Sequence, residues 1–195
     1  MNKMRLIIID GLDGSGKDTQ AQLIKTKYEK KGERVCIRSH PESDNFFGKR
    51  AKKALLEKRK INKIKASIFY MMDVLRSIRK YHRKEKYDTI IMVRYLVGTA
   101  YLPKKLVKVG YRFFENFVPT SDYMFFLDAA PDVLAKRVEG RSNREIFETF
   151  EGFVNVRNKA LSVVHDWIII DASDPIEDVF SKIEGVLDTI DLKNN

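Results

Sequence analysis

Gly11-Leu12-Asp13-Gly14-Ser15-Gly16-Lys17-Asp18-Thr19 lies directly behind the apolar run Met4–Ile9 and opens a helical pattern over Lys17–Lys31. Strand, glycine-rich turn and helix in that order make a phosphate loop. The glycines let backbone N–H groups point inward at phosphate oxygens, the helix N-terminus adds the positive end of its dipole, and Lys17 reaches the terminal phosphates. One position departs from the pattern. Asp18 stands where Ser or Thr is expected, whose hydroxyl would meet the magnesium carried by a triphosphate. A carboxylate is a harder, charged ligand, which makes Asp18 the candidate metal contact; the plainer reading is a helix-start aspartate favoured by the dipole.

Outward from this loop, short apolar runs alternate with amphipathic stretches, the pattern of parallel strands joined by crossover helices. The runs are Met4–Ile9, Arg34–Arg38, Thr89–Val93, Tyr123–Leu127 and Trp167–Ile170, each apolar enough to be covered on both faces. Helical periodicity is expected over Lys17–Lys31, Phe46–Glu57, Ile64–Lys84, Lys104–Phe117, Pro131–Glu139, Glu145–Val164 and Pro175–Ile190. The expectation is one α/β domain over residues 1–195, three layers deep, with a five-stranded parallel sheet flanked by helices. Ligands of such sheets bind beyond the carboxyl ends of the strands, so the residues just after each strand are the candidates.

The only cysteine, Cys36, rules out an internal disulfide framework and a cysteine-based metal cluster, and is expected to sit inert in a buried strand. The N-terminus carries no signal-peptide pattern and no run of 18 apolar residues occurs, so a cytoplasmic protein without a membrane partner is expected. The net charge of +10 is uneven. From Ser121 onward 8 Lys and Arg stand against 15 Asp and Glu, a net −7, which leaves +17 before it. The densest basic stretches, Lys49–Lys65 and Arg76–Lys86, are helical in period and read as solvated faces. No RNA- or DNA-binding signature accompanies them, so nucleic acid is not the expected partner, whereas small polyanionic substrates suit such a potential.

Residues along the whole chain resemble the thymidylate kinases, whose loop typically reads E-G-L-D-G-x-G-K-T-T-Q where this chain has D-G-L-D-G-S-G-K-D-T-Q. The resemblance continues through Pro41-Glu42 with Gly48-Lys49, Arg94-Tyr95, and Ile170-Asp171-Ala172-Ser173. Asn143-Arg144-Glu145, followed by Phe150, Phe153 and Arg157, resembles the family's lid, here about 140–147, and the helix behind it. The resemblance implies a P-loop kinase fold, ATP and Mg2+ as cofactors, and transfer of a phosphoryl group to a nucleoside monophosphate, dTMP foremost, by positioning and electrostatics. It implies that Lys17 grips the β- and γ-phosphates, that Arg94 bridges donor and acceptor phosphates, and that Arg144, with Arg141 in reserve, descends with the lid. Ala172 and Ser173 would cover adenine. Asp13, Pro41, Glu42, Tyr70, Arg76, Arg94, Tyr95, Thr99 and Tyr101 are the acceptor-side candidates. A homodimer is implied as well, with the helix over Ile64–Lys84 as the candidate interface, its apolar stripe reading equally as core.

Several acceptor-side positions depart from the family. Val74 stands where relatives carry Arg four positions after the aromatic Tyr70, and Ser43 follows Pro-Glu where some relatives carry Arg. Tyr70 itself sits among Ile68, Phe69, Met71 and Met72 and reads equally well as core. Val93 replaces the aspartate of the family's Asp-Arg-Tyr, so Asp18 is expected to supply the carboxylate lost there. Another nucleotide or nucleoside as acceptor, or a nucleotide-binding regulator without acceptor chemistry, are the alternatives these departures leave open.

Overall fold

The computed structural model describes residues 4–55, 60–82, 86–139 and 149–194, with backbone alone over 60–63. Five strands, β1 (Arg5–Gly11), β2 (Val35–Ser39), β3 (Thr89–Val93), β4 (Tyr123–Asp128) and β5 (Ile168–Asp171), form one parallel sheet in the order β2-β3-β1-β4-β5. Its three middle strands are nearly continuous in apolar side chains, as two covered faces require. Ile7, Ile8 and Ile9 of β1, Ile90 to Val93 of β3 and Phe125 to Leu127 of β4 have no exposed surface. The two outer strands are less covered than their composition suggests. Ile169 of β5 is half exposed and Cys36 of β2 is only partly buried, because an edge strand has a neighbour on one side alone.

The crossover helices are α1 (Lys17–Lys30), α2 (Phe46–Leu55), α3 (Lys60–Ser77), α4 (Lys104–Glu115), α5 (Pro131–Val138), α6 (Phe150–Leu161) and α7 (Ile176–Asn194). Their bounds match the periodicity within a few residues, except at two ends. α3 gives way to a wide turn over Ile78–His82, and the described part of α6 opens at Phe150 rather than at Glu145. There Thr149 caps the helix, its side-chain oxygen accepting from Gly152 N at 3.1 Å. With right-handed crossovers, α1 and α7 lie together on one face of the sheet and α2 to α6 on the other. The chain leaves β1 toward β2 and leaves β4 toward β5, so the connections diverge on either side of the β1–β4 pair. The loop after β1 therefore opens into the crevice where α/β sheets hold their ligands.

Candidate active site

The turn from β1 into α1 is shaped by its glycines. Gly14 and Gly16 hold φ of 88° and 83°, left-handed values that disfavour any side chain. Gly16 is the N-cap of α1 and brings no capping side chain, which leaves the N–H groups of the first helical turn open to a ligand. The Ser15 hydroxyl oxygen is buried against Gly11 with no partner among the described residues. Lys17, 2% exposed, folds over the same turn and donates from Nζ to Leu12 O at 3.0 Å and to Asp13 Oδ1 at 3.2 Å. Open amides, an orphaned hydroxyl and a buried ammonium form a cradle that fits a polyphosphate.

Arg94 faces this cradle from the end of β3, in a left-handed conformation with φ of 56°. Its Nη2 donates at 3.1 Å to Asp13 Oδ1, the atom that Lys17 also reaches. Its Nη1 donates to Asp18 Oδ2 at 2.9 Å and to Ser39 Oγ at 3.2 Å, while the Ser39 hydroxyl donates to Asp18 Oδ1 at 2.6 Å. Burial works against the charge on Asp13, but Lys17 and Arg94 prevail and hold its carboxyl well below the usual range. Asp18 is likewise held low, by Arg94 and the Ser39 hydroxyl against the effect of burial. Burial, with Arg94 close by, pushes the Lys17 ammonium down against the pull of Asp13.

Asp10, at the end of β1, holds the loop that follows Arg94 in place. This carboxylate is 2% exposed, and its Oδ2 accepts from the amides of Tyr95, Leu96 and Val97 at 2.8, 2.9 and 3.0 Å. Burial raises its pKa, with the three amides and Lys17 opposing the rise. The loop continues in a tight turn over Val97–Tyr101, and Tyr101 donates to Asp13 Oδ2 at 3.1 Å. Thr99 spends its hydroxyl inside that turn, donating to Leu96 O.

The sequence candidates divide accordingly. Asp13, Lys17, Asp18, Arg94 and Tyr101 come together in one network. Thr19 is exposed on α1 beside it. Tyr70 is buried with its ring against Gly98 and its hydroxyl unpartnered, edge-on to His40 at 6.5 Å between ring centres. Pro41 and Glu42 shape the turn after β2. The Glu42 amide donates to Asp73 Oδ2, and its carboxylate accepts from Ser39 N and lies 3.5 Å from Arg38 Nε. Tyr95 turns away from the network, fully buried with its hydroxyl on Pro119 O. Arg76 Nη1 lies 3.6 Å from Asp44 Oδ1, beside Arg38, and its side chain lines a cleft of about 450 Å³ with Phe47, Met72, Leu75 and Arg79. Arg141 and Arg144, with the rest of the lid, lie outside the described residues.

Beyond β5, Ala172 is buried and its amide donates to Asp128 O. Arg137, which sequence reasoning missed, ties this turn to the phosphate loop. It donates to Ala172 O at 2.7 Å, Ser173 O at 3.1 Å and Gly14 O at 3.4 Å. Its only signal in the sequence is a basic residue in the last turn of a helix, which the dipole alone explains. Arg157 makes a bidentate pair with Asp128, both contacts at 2.7 Å.

Comparison with known proteins agrees with this geometry. Residues 9–183 match the family model described as thymidylate kinase. The thymidylate kinase of Schizosaccharomyces pombe is 27% identical, over 98% of this chain and 95% of its own length. A probable thymidylate kinase of Archaeoglobus fulgidus is 26% identical over 97% of this chain and 98% of its own. The structure of thymidylate kinase from Candida albicans superposes with a TM-score of 0.78 at 19% identity, over 98% of this chain and 93% of that one. With a family model spanning most of its length and its phosphate loop placed at the head of a β2-β3-β1-β4-β5 sheet, the chain belongs to the thymidylate kinase family.

Proposed function

We propose that the protein transfers the γ-phosphoryl group of ATP to a nucleoside monophosphate, dTMP foremost, releasing ADP and the diphosphate. One observation carries this reading: Lys17 from the donor cradle and Arg94 from the acceptor side both donate to Asp13 Oδ1, at 3.2 and 3.1 Å. Two cations held that close by one carboxylate bracket the path of a migrating phosphoryl group, where positioning and charge stabilisation do most of the chemistry. In this reading Lys17 holds the donor's terminal phosphates, and Arg94 spans donor and acceptor with the fork geometry that suits phosphate oxygens. Arg144 joins them from the lid.

Magnesium, which neutralises charge on the transferring phosphates when bound, fits the donor set in one way. Among the described residues no three acidic, His or Cys side chains gather to hold a free ion, so a magnesium here would be one brought by the triphosphate. Asp18, with 54% of its side chain exposed at the mouth of the cradle, would be the carboxylate that holds it, in place of the one missing at Val93.

Exposed apolar residues on the sheet face opposite α1 support a homodimer. They include Phe46 of α2, Ile68 and Met72 of α3, and Val109, Phe113 and Phe117 of α4 and its exit. No described helix is long and apolar enough to cross a membrane, and a cytoplasmic location suits the proposed substrates.

A second reading keeps the reaction and changes the acceptor base, because Val74 is fully buried and offers no side chain to a base edge. Incubation with ATP, Mg2+ and a panel of nucleosides and monophosphates, with ADP measured, tests both. Acceptor-stimulated ADP strongest with dTMP supports the first reading, and another acceptor supports the second. No stimulation by any acceptor refutes kinase function and leaves a nucleotide-binding regulator.

A further inference from the structure

Asp18 is exposed, yet its carboxylate is fully engaged. Oδ1 accepts from Ser39 Oγ at 2.6 Å and from Arg94 Nη1 at 3.2 Å, and Oδ2 accepts from the same Nη1 at 2.9 Å. Asp13 takes Nη2. Both forks of the Arg94 guanidinium are therefore occupied by carboxylates from the donor side. A guanidinium offers its Nη hydrogens to planar or tetrahedral oxyanions in the same fork, so an acceptor phosphate competes with Asp18 for the Nη1 hydrogens. The phosphate and the carboxylate would also repel each other at that distance. The family's threonine at this position would have no charge with which to hold the arginine.

We propose that Asp18 is a positioning residue that keeps Arg94 docked on the phosphate loop until the metal-bound donor arrives, so that acceptor phosphate binds tightly only to the donor-loaded protein. Asp18 can hold either Arg94 or a divalent cation at the donor phosphates, and when it turns to the cation the Nη1 hydrogens of Arg94 become free for the acceptor. Ser39 anchors the resting position through its short bond to Oδ1. Coupling of this kind is reciprocal: acceptor phosphate on Arg94 also releases Asp18 and strengthens donor binding by the same factor. The inference rests on the two-substrate reading above for the identity of the ligands.

Calorimetric titration of dTMP into the protein, alone and saturated with a non-hydrolysable ATP analogue with or without Mg2+, measures the coupling. The wild type is expected to bind dTMP at least about tenfold more tightly with analogue and Mg2+ together than alone, within the range of ordinary allosteric couplings. Asp18→Thr and Asp18→Asn are expected to bind dTMP tightly without donor and to show less than about twofold coupling. Ser39→Ala, which loosens the resting contact, falls between. Donor-free affinity of Asp18→Thr no better than wild type, or coupling undiminished in both variants, overturns the proposal.

A second readout needs no acceptor. The side-chain NMR resonances of Arg94, assigned with Arg94→Lys, should differ between the wild type and Asp18→Thr without donor and coincide once the analogue with Mg2+ is added. If dTMP fails to bind in any state, dTMP is refuted as acceptor, and the arginine resonances alone then decide: a donor-free difference that closes with the analogue and Mg2+ upholds the role of Asp18, and a difference that persists overturns it.

Discussion

Replacing Asp10 by Ala should unfasten the loop over Tyr95–Val97 from the sheet. Asp10 Oδ2 accepts from three consecutive amides at 2.8–3.0 Å in a site that is 2% exposed. Each buried amide left without a partner costs about 1–3 kcal/mol. Removing a buried carboxylate also removes its own desolvation penalty, and water entering the vacated space recovers part of the loss. The net destabilisation should be about 3 kcal/mol, a large share of the roughly 5–15 kcal/mol that holds a domain folded. Asp10→Asn, whose carbonyl oxygen still accepts, should lose about half as much. Urea unfolding monitored by circular dichroism gives the free energies. Hydrogen exchange should show the Tyr95, Leu96 and Val97 amides losing protection beyond the global change. A loss under about 1 kcal/mol in Asp10→Ala, or protection unchanged at those amides, would refute the claim that this carboxylate fixes the loop.

Three further outcomes are expected. Gly48→Ala should destabilise by about 2 kcal/mol or more, because a Cβ there would run into the Glu42 backbone, which cannot yield without moving the turn behind β2; thermal melts check it. Arg137→Ala should raise KM for ATP about tenfold with a smaller change in kcat, since it frees the Ala172–Ser173 turn while leaving Lys17 and Arg94 in place; steady-state kinetics separate the two constants. His40 is buried, and burial lowers its pKa to about 4. The unfolded chain takes up that proton first, so the stability contributed by neutral His40 is intact above about pH 6.5 and is lost as pH falls toward 4. Between pH 7.5 and 4.5 the wild type should lose about 2–3 kcal/mol more than His40→Phe, read by urea unfolding at both values.

The sheet and its helices were legible because their signals are local: apolar runs of strand length and amphipathic stretches between them, with the phosphate loop as the fixed point. What escaped the sequence depends on where a side chain is carried by the fold. Asp10 looked like one letter of a loop pattern, and nothing near it reveals that a segment 85 residues later returns to lay three amides on its carboxylate. Tyr95 follows Arg94 directly, yet the left-handed turn at Arg94 sends the next side chain into the core toward Pro119. Arg76 is six residues beyond Tyr70 on one helix, which turns it to another side of α3, toward Asp44. Arg137 acts across the chain on the carbonyls of Gly14 and Ala172, a role its own helix does not announce. The Asp18 and Val93 departures could be read as a pair from the sequence, but that Asp18 holds Arg94 needed the coordinates.

The central claim is that the turn between β1 and α1 closes on a triphosphate. Isothermal titration with millimolar ATP and Mg2+ tests it most directly. Saturable heat with one site per chain, abolished in Lys17→Ala while circular dichroism stays unchanged, is the predicted result. A folded wild-type protein that gives no heat of association, or a Lys17→Ala variant that binds as the wild type does, would contradict it.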